Sequence, residues 1–211
     1  MNCYENQGIE TIVVVFTIID KKVKILLAKN YLKGNYKLLS RELCNNETAS
    51  VGVEKTLQMC GNLMYESMEQ FYTFTDPYRF ATKRMVGISY LTIVKSAQLI
   101  SDEFVWFDLD DLPLLAYDHK EILDKAIEVM KTRLLKTNIA SILLPDKFTL
   151  PQLQSVYETL LNVKFDRRNF RRKFLSLGLI KTTGEKEIVK GHRPGLMYKF
   201  LPLEYREMEI F

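Results

Sequence analysis

Residues 166–174, which read DRRNFRRKF, decide the fold of the C-terminal part of the chain. Phe170 and Phe174 lie one helical turn apart, so the stretch predicts a helix with one apolar face. We expect this helix to start at Asp166 and to stop at Gly178, because aspartate favours helix starts and glycine favours helix ends.

The outward face of this helix carries residues suited to DNA. Each helical residue advances by about 100°, so Arg168 and Arg172 point away from the apolar face. Arginine binds phosphates or guanine edges through two parallel hydrogen bonds, and asparagine can bind adenine in the same way. The candidate DNA-binding residues of the helix are Arg167, Arg168, Asn169, Arg171, Arg172 and Lys173.

The neighbouring segments complete the outline of a winged helix-turn-helix. Upstream, apolar residues at helical spacing predict another helix across Leu153 to Leu161. Downstream, Leu179–Thr182 and Leu196–Phe200 have strand-like composition and flank a polar loop. Helix, helix and hairpin in this order predict the DNA-binding motif, with the loop as its wing. The candidate wing contacts with DNA are Lys186, Lys190, His192 and Arg193.

The charge of the chain is concentrated around these elements. The 211 residues have a formal charge of +4. Residues 164–199 contain eleven Lys and Arg against three acids, a local charge of +8, and the remainder carries −4. This division is typical of an acidic or neutral domain joined to one that binds a polyanion. A solvated cationic surface is the alternative, although only Asp166 lies near enough in sequence to compensate the five cations of residues 167–173.

The rest of the chain predicts a mixed α/β unit and a connecting helix. We expect strands at residues 10–19, 23–29, 36–43, 69–74, 85–94 and 105–107. A helix capped by Thr48 follows the third strand, and a capping pair, Asp118 and Glu121, begins another helix that ends near Lys136. The predicted domains are residues 1–113, a linking helix at 114–137, and the winged helix at 138–211.

Composition and short motifs exclude several other classes of protein. The longest apolar runs, Ile12–Phe16 and Leu112–Tyr117, are far shorter than the roughly 20 residues of a membrane-spanning helix. Residues 1–10 lack the features of a secretory signal. Three cysteines without a CxxC pair indicate neither a disulfide framework nor a zinc site, and we expect a cytoplasmic protein. His119 and His192 have too few potential ligands near them in sequence to indicate a metal.

Four C-terminal motifs carry a family resemblance: LPDKFTLPQLQ at residues 144–154, VYE at 156–158, DRRNFRRK at 166–173 and GHRP at 191–194. They resemble the Nudix-related transcriptional regulators of the NrtR type. The resemblance implies an α+β fold: a Nudix-like, mixed-sheet α/β/α sandwich for sensing and dimerisation, then a linking helix and a winged helix-turn-helix domain. It also implies a homodimer on double-stranded operator DNA, and a small-molecule effector, either an ADP-ribose-like nucleotide or a pentose sugar.

The Nudix motif itself is degenerate. In Nudix hydrolases it has the form G-x5-E-x7-R-E-U-x-E-E-x-G-U, and its glutamates hold a divalent metal. The corresponding positions here are Arg41, Glu47, Lys55, Thr56, Leu57, Met59, Cys60, Asn62 and Leu63. Magnesium prefers oxygen ligands, which Met59 and Cys60 do not supply. We therefore expect no catalytic residue, no metal and no cofactor, and a protein that is not an enzyme.

Several residues are candidates for binding the effector, and three of them, Arg79, Arg84 and Tyr90, match the family pattern. The candidates are Arg79, Lys83 and Arg84 in a polar loop, Tyr90 in the following strand, and Glu47, which could instead be a loop or helix-cap carboxylate. The loop cations could equally form contacts between domains or subunits. Two alternatives remain open: a Nudix hydrolase of nucleoside diphosphate derivatives with a nucleic-acid-binding appendage, and an adaptor whose Nudix-like unit binds protein.

Overall fold

The computed structural model describes residues 7–30, 35–61, 63–95, 98–187, 194–202 and 207–211. The chain forms two compact units, the first made of Met1–Thr17 with Lys24–Glu128 and the second of Ile18–Val23 with Val129–Phe211. In the described ranges, no helix is long and apolar enough to cross a membrane. The three-part division expected from the sequence stays a prediction.

A mixed sheet lies at the centre of the first unit. Its strands are β1 (Gln7–Ile19), β2 (Lys22–Asn30), β3 (Asn35–Lys37), β4 (Leu39–Glu42), β5 (Tyr65–Phe74), β6 (Arg84–Val94) and β7 (Phe104–Asp108). The order is β3-β2-β1-β6-β5, with β4 also paired to β1 and β7 to β2. β1 is parallel to β6, whereas β4, β7, β3 and β5 pair antiparallel with their neighbours.

The predicted strands are confirmed, with one interruption. β1 is buried from Glu10 to Thr17, as its apolar, β-branched composition indicates for a central strand. Asp20 and Lys21 have φ of 51° and 67°, which fits the tight turn that joins β1 to β2. The strand expected at residues 36–43 is broken at Leu38 into β3 and β4.

One helix of this unit, α1 (Ala49–Gly61), carries the degenerate Nudix motif and packs against the sheet. Thr48 accepts a hydrogen bond from the Val51 amide at 3.4 Å, so the predicted cap is confirmed. Gly52 allows α1 to lie close to the sheet, because a Cβ there would lie 3.2 Å from Thr11 Oγ1 of β1 and 2.5 Å from Leu43 Cδ2, just after β4. A second helix, α2 (His119–Lys136), begins in this unit immediately after Asp118, as expected, and its residues from Val129 onward belong to the second unit.

The second unit has the predicted helix-turn-helix and hairpin. Its elements are α3 (Ala140–Leu143), β8 (Phe148–Thr149), α4 (Leu150–Leu161), α5 (Arg167–Ser176), β9 (Ile180–Lys186) and β10 (Leu196–Phe200). The last two strands pair antiparallel, and β8 adds a third strand to them. The sequence patterns gave no sign of α3 or β8, because both are shorter than one period of reliable apolar repetition.

An aromatic core holds α4 and α5 together. Tyr157 of α4 contacts Phe170 and Phe174 of α5 edge to face, with ring centroids 5.8 and 5.1 Å apart. Phe170, Phe174 and Tyr157 are each at most 2% exposed. Gly178, with φ of 64°, follows α5 in the left-handed conformation that the sequence predicted for the helix end.

Candidate functional site

The start of α5 is fixed by a side-chain cap. The Asp166 carboxylate accepts a hydrogen bond from the Asn169 amide at 2.9 Å, which satisfies a backbone donor of the first turn. Phe170 and Phe174 anchor the opposite side of the helix in the core. The residues that hold α5 in place therefore do not belong to its outward face.

That outward face is strongly cationic. We call it the basic helix face, and it consists of Arg167, Arg168, Asn169, Arg171 and Arg172, all exposed. Among the described residues, no carboxylate lies within ion-pairing distance of these four arginines. Arg172 Nη2 donates to Asn169 Oδ1 at 3.0 Å, which holds these two polar side chains beside each other. Lys173 is half-buried at the margin.

The predicted wing contacts are described only in part. Lys186 is exposed at the end of β9, in register with Leu196 of β10. Lys190, His192 and Arg193 lie outside the described residues. The structure therefore brings the helix candidates together on one face and places Lys186 on the adjoining hairpin.

A cavity of about 160 Å³ lies in the first unit, against the face of α1 that carries the degenerate motif. It is lined by Ala28, Lys37, Leu39, Ser40, Arg41, Thr56, Met59, Cys60, Glu103 and Phe104. Thr56, Met59 and Cys60 stand at motif positions where hydrolases carry glutamates. In place of a carboxylate cluster, the cavity thus offers two cations, one carboxylate, two hydroxyl groups, one aromatic ring and apolar side chains.

The lining residues that had not been predicted include Lys37, Glu103 and Phe104. They come from β3, the loop before β7, and β7, and they meet because both strands pair with β2. Lys37 is half-buried, and no described carboxylate lies within ion-pairing distance of it. Its position between Tyr36 and the buried Leu38 gave no signal in the sequence, since lysine is common at such places.

The retained glutamate of the motif is bound internally. Glu47 accepts hydrogen bonds from Arg41 Nη1 at 2.7 Å, from the Cys44 amide at 3.2 Å, and from Lys55 Nζ. These donors lower the pKa of Glu47 to about 2, and the hydrogen bond from Arg41 has the largest effect. Glu47 does not line the cavity. Its geometry fits the alternative of a loop carboxylate, and its assignment to the effector stays a prediction.

The surroundings do not favour a metal. In the part of the chain that the structure describes, no group of three or more His, Cys, Asp or Glu side chains is arranged to hold a metal ion. Burial raises the pKa of the Cys60 thiol to about 12, so it is protonated at neutral pH and is a poor ligand. Arg41 and Lys55 occupy the oxygens of Glu47 that a cation would need.

The other effector candidates do not reach the cavity. Arg79 is buried, and its guanidinium binds Glu10 at 2.8 Å and Asp118 at 2.7 and 3.1 Å. Lys83 pairs with Glu42 on the surface, and Arg84 begins β6, which also carries the half-buried Tyr90. None of the four lines the cavity. For Arg79 the geometry favours a structural role, and the others stay predictions.

His119, the first residue of α2, is a buried group that sequence reasoning considered only as a metal ligand. It is 1% exposed, and its Nδ1 accepts a hydrogen bond from the Leu38 amide at 2.9 Å. Burial lowers its pKa to about 4, opposed by Asp118 and reinforced by the Arg79 and Lys37 charges. The imidazole is therefore neutral at physiological pH.

This burial predicts an acid-sensitive fold. Between about pH 6.5 and pH 4 the unfolded state binds a proton at His119 and the folded state does not, so stability falls as the pH falls. The loss of free energy of unfolding that is due to His119 approaches about 1.4 kcal/mol per pH unit. Urea unfolding at several pH values gives the free energy of unfolding as a function of pH. This free energy should change less with pH in His119→Asn than in the wild type. Equal changes with pH would contradict the burial of a neutral imidazole.

Parts of the chain are similar to known proteins, and the first similarity lies in the second unit. Residues 140–200 match the model of the NrtR DNA-binding winged helix domain. Over 91 residues, the chain is 32% identical to the ADPR responsive transcriptional repressor NtrR of Acinetobacter baylyi. This match covers 43% of the chain and 36% of the relative, so the chain spans about a third of the length of that curated relative.

Two solved structures extend the likeness to the first unit. The crystal structure of Shewanella oneidensis NrtR with a 27mer DNA matches with a TM-score of 0.76 and 25% identity, over 92% of this chain and 93% of that one. The NUDIX domain of the same protein, solved with ADP ribose, matches with a TM-score of 0.54 and 22% identity, over 60% and 90%. The second likeness shows the fold alone. The predicted combination of a Nudix-like mixed sheet and a winged helix is confirmed.

Proposed function

We propose that the chain is a DNA-binding transcriptional regulator controlled by a small metabolite. The reason is that it joins a Nudix-like unit to an NrtR winged helix, as regulators of the NrtR type do. The observation that carries this proposal is the basic helix face on α5. Four exposed arginines without described carboxylate partners suit the phosphates and base edges of a major groove. Such a regulator acts in the cytoplasm on double-stranded operator DNA.

The proposed division of labour follows the predicted domains. Residues 1–113 sense the metabolite and form a homodimer, residues 114–137 link, and residues 138–211 bind DNA. The homodimer is part of the proposal, because two winged helices on paired half-sites would double the phosphate contacts. The relative from A. baylyi is a repressor responsive to ADPR, and we extend repression to this chain on that basis.

We infer that the effector binds in the cavity beside α1. Lys37 and Arg41 suit phosphate oxygens, and Phe104 offers an aromatic surface. About 160 Å³ is smaller than the roughly 300–1,000 Å³ of complete ligand pockets. The cavity therefore suits one part of a ligand, such as a sugar ring or a phosphoryl group, which fits both an ADP-ribose-like nucleotide and a pentose.

Calorimetric titration tests the effector assignment. ADP-ribose should bind the wild type, and Lys37→Met should weaken that binding roughly tenfold or more, because a charge-assisted hydrogen bond is lost. Lys83→Met is the matched control: it removes the same charge from an exposed pair outside the cavity. A larger loss of ADP-ribose affinity in Lys83→Met than in Lys37→Met would indicate that the effector binds at the polar loop. Absence of heat with ADP-ribose, pentoses and sugar phosphates alike would favour the adaptor.

Hydrolysis is not expected. Thr56, Met59 and Cys60 replace the acids that would hold a metal against a diphosphate, and Glu47 is already bound by cations. Incubation with ADP-ribose, sugar nucleotides or NAD, with magnesium or manganese, should release no phosphate or nucleoside monophosphate above a blank. Metal-dependent turnover that Glu47→Gln abolishes would establish the alternative, a Nudix hydrolase with a nucleic-acid-binding appendage.

A further inference from the structure

Two segments of the first unit, far apart in the sequence, are joined by hydrogen bonds. We call residues 35–42 the β3–β4 segment and residues 114–119 the approach to α2. The Tyr36 amide donates to the Leu114 carbonyl at 3.3 Å, and the Ala116 amide donates to the Tyr36 carbonyl at 2.8 Å. The third bond joins the Leu38 amide to His119 Nδ1. The beginning of α2 is therefore attached to one wall of the cavity.

The third bond differs from the others because a side chain makes it. Nδ1 of His119 accepts, so the neutral imidazole carries its proton on Nε2. Nε2 is buried and has no hydrogen-bond partner among the described residues. The Leu38 amide is thus the polar contact that holds the ring. Lys37 and Leu39, on either side of Leu38, both line the cavity.

The other end of α2 belongs to the second unit. The carbonyl of Leu134 accepts from Tyr157 Oη at 3.3 Å, and those of Leu135 and Lys136 accept from the Ile210 and Met208 amides at 2.8 and 2.7 Å. These bonds take up carbonyls that a helix end leaves without partners inside the helix. Between its two attachments, the helix runs from His119 to Lys136 without glycine or proline.

We propose that His119 is a positioning residue that couples occupancy of the cavity to DNA binding. A ligand that contacts Lys37 or Leu39 moves the Leu38 amide, and the Leu38–His119 hydrogen bond carries that movement to the first residue of α2. The helix then passes it to the second unit along its own backbone. The inference rests on the proposed function, because a ligand regulates only if it binds two states differently.

Two variants of His119 separate coupling from binding. The side-chain oxygen of Asn stands near the position of Nδ1 and keeps an acceptor for Leu38, whereas Leu removes it. The probes are ADP-ribose and a duplex that the wild type selects from a random pool. In the wild type and His119→Asn, ADP-ribose should change the dissociation constant of the duplex roughly fivefold or more. In His119→Leu this ratio should fall toward one, with ADP-ribose binding retained. If His119→Leu does not fold, His119→Gln serves, because its amide reaches the Nε2 position instead.

A second measurement distinguishes failure of the coupling from failure of the effector assignment. Coupling is reciprocal, so the selected duplex alone should change hydrogen exchange in the β3–β4 segment of the wild type and His119→Asn, and leave it unchanged in His119→Leu. This arm requires no ligand, and it supports the coupling even if ADP-ribose proves inactive. An exchange response that is absent in the wild type, or equal in His119→Leu, overturns the coupling. So does an ADP-ribose effect on DNA that is as large in His119→Leu as in the wild type.

Discussion

The double variant Arg168→Ala, Arg172→Ala is expected to lose nearly all specific DNA binding. Both side chains are exposed on α5 while Phe170 and Phe174 hold the helix in the core, so the variant should fold normally. Each bidentate contact with a base is worth about 1–3 kcal/mol, so the loss of two corresponds to roughly 30-fold or more in affinity. Anisotropy titrations with a duplex selected by the wild type measure the loss.

The matched control is Lys120→Ala, Lys125→Ala. It removes the same formal charge, but from side chains that pair with Asp124 and Glu128 on α2. We expect it to leave the affinity nearly unchanged and the slope of affinity against salt almost as in the wild type, because these lysines lie outside the basic helix face and already pair with carboxylates. Equal losses in both double variants would mean that net charge, and not the basic helix face, governs binding.

The second large effect is on folding: Arg79→Met should destabilise the first unit by about 3–5 kcal/mol. The Arg79 side chain is 1% exposed, and those of Glu10 and Asp118 are 5% and 16% exposed. Burial already raises the pKa of Glu10, and removal of the guanidinium leaves two carboxylates without their cation. Chemical denaturation of the variant and wild type measures the difference.

Lys83→Met provides the comparison for this experiment. Its ion pair with Glu42 is exposed, and such pairs contribute less than about 1 kcal/mol. Both cations lie in the loop that the sequence indicated as effector-binding. A small loss for Arg79→Met, similar to that for Lys83→Met, would show that Arg79 is available for a ligand and would restore its sequence-based assignment.

Local periodicity was sufficient to predict the winged helix. The spacing of Phe170 and Phe174 placed the arginines of α5 outward, Asp166 and Gly178 marked its ends, and the structure agrees on each point. These features depend on neighbours within a few turns of the chain. The same is true of α1, whose cap at Thr48 was predicted from its residue type and place.

Contacts between distant segments could not be predicted in this way. Glu10 and Asp118 are 69 and 39 residues from Arg79, and nothing in their local sequences indicates that they converge. Arginine is rarely buried, so a surface role was the better expectation for Arg79. The cavity is a similar case, because Lys37 and Phe104 meet only through the pairing of β3 and β7 with β2. Residue types indicated which groups were available but not which groups meet.

The most direct test of the account is a titration of the wild-type protein on its selected duplex, followed by fluorescence anisotropy, with and without ADP-ribose. We expect saturable, sequence-dependent binding through the basic helix face and a dissociation constant that shifts roughly fivefold or more when ADP-ribose is added. Two superimposable curves, obtained at an ADP-ribose concentration that calorimetry shows to be saturating, would contradict it.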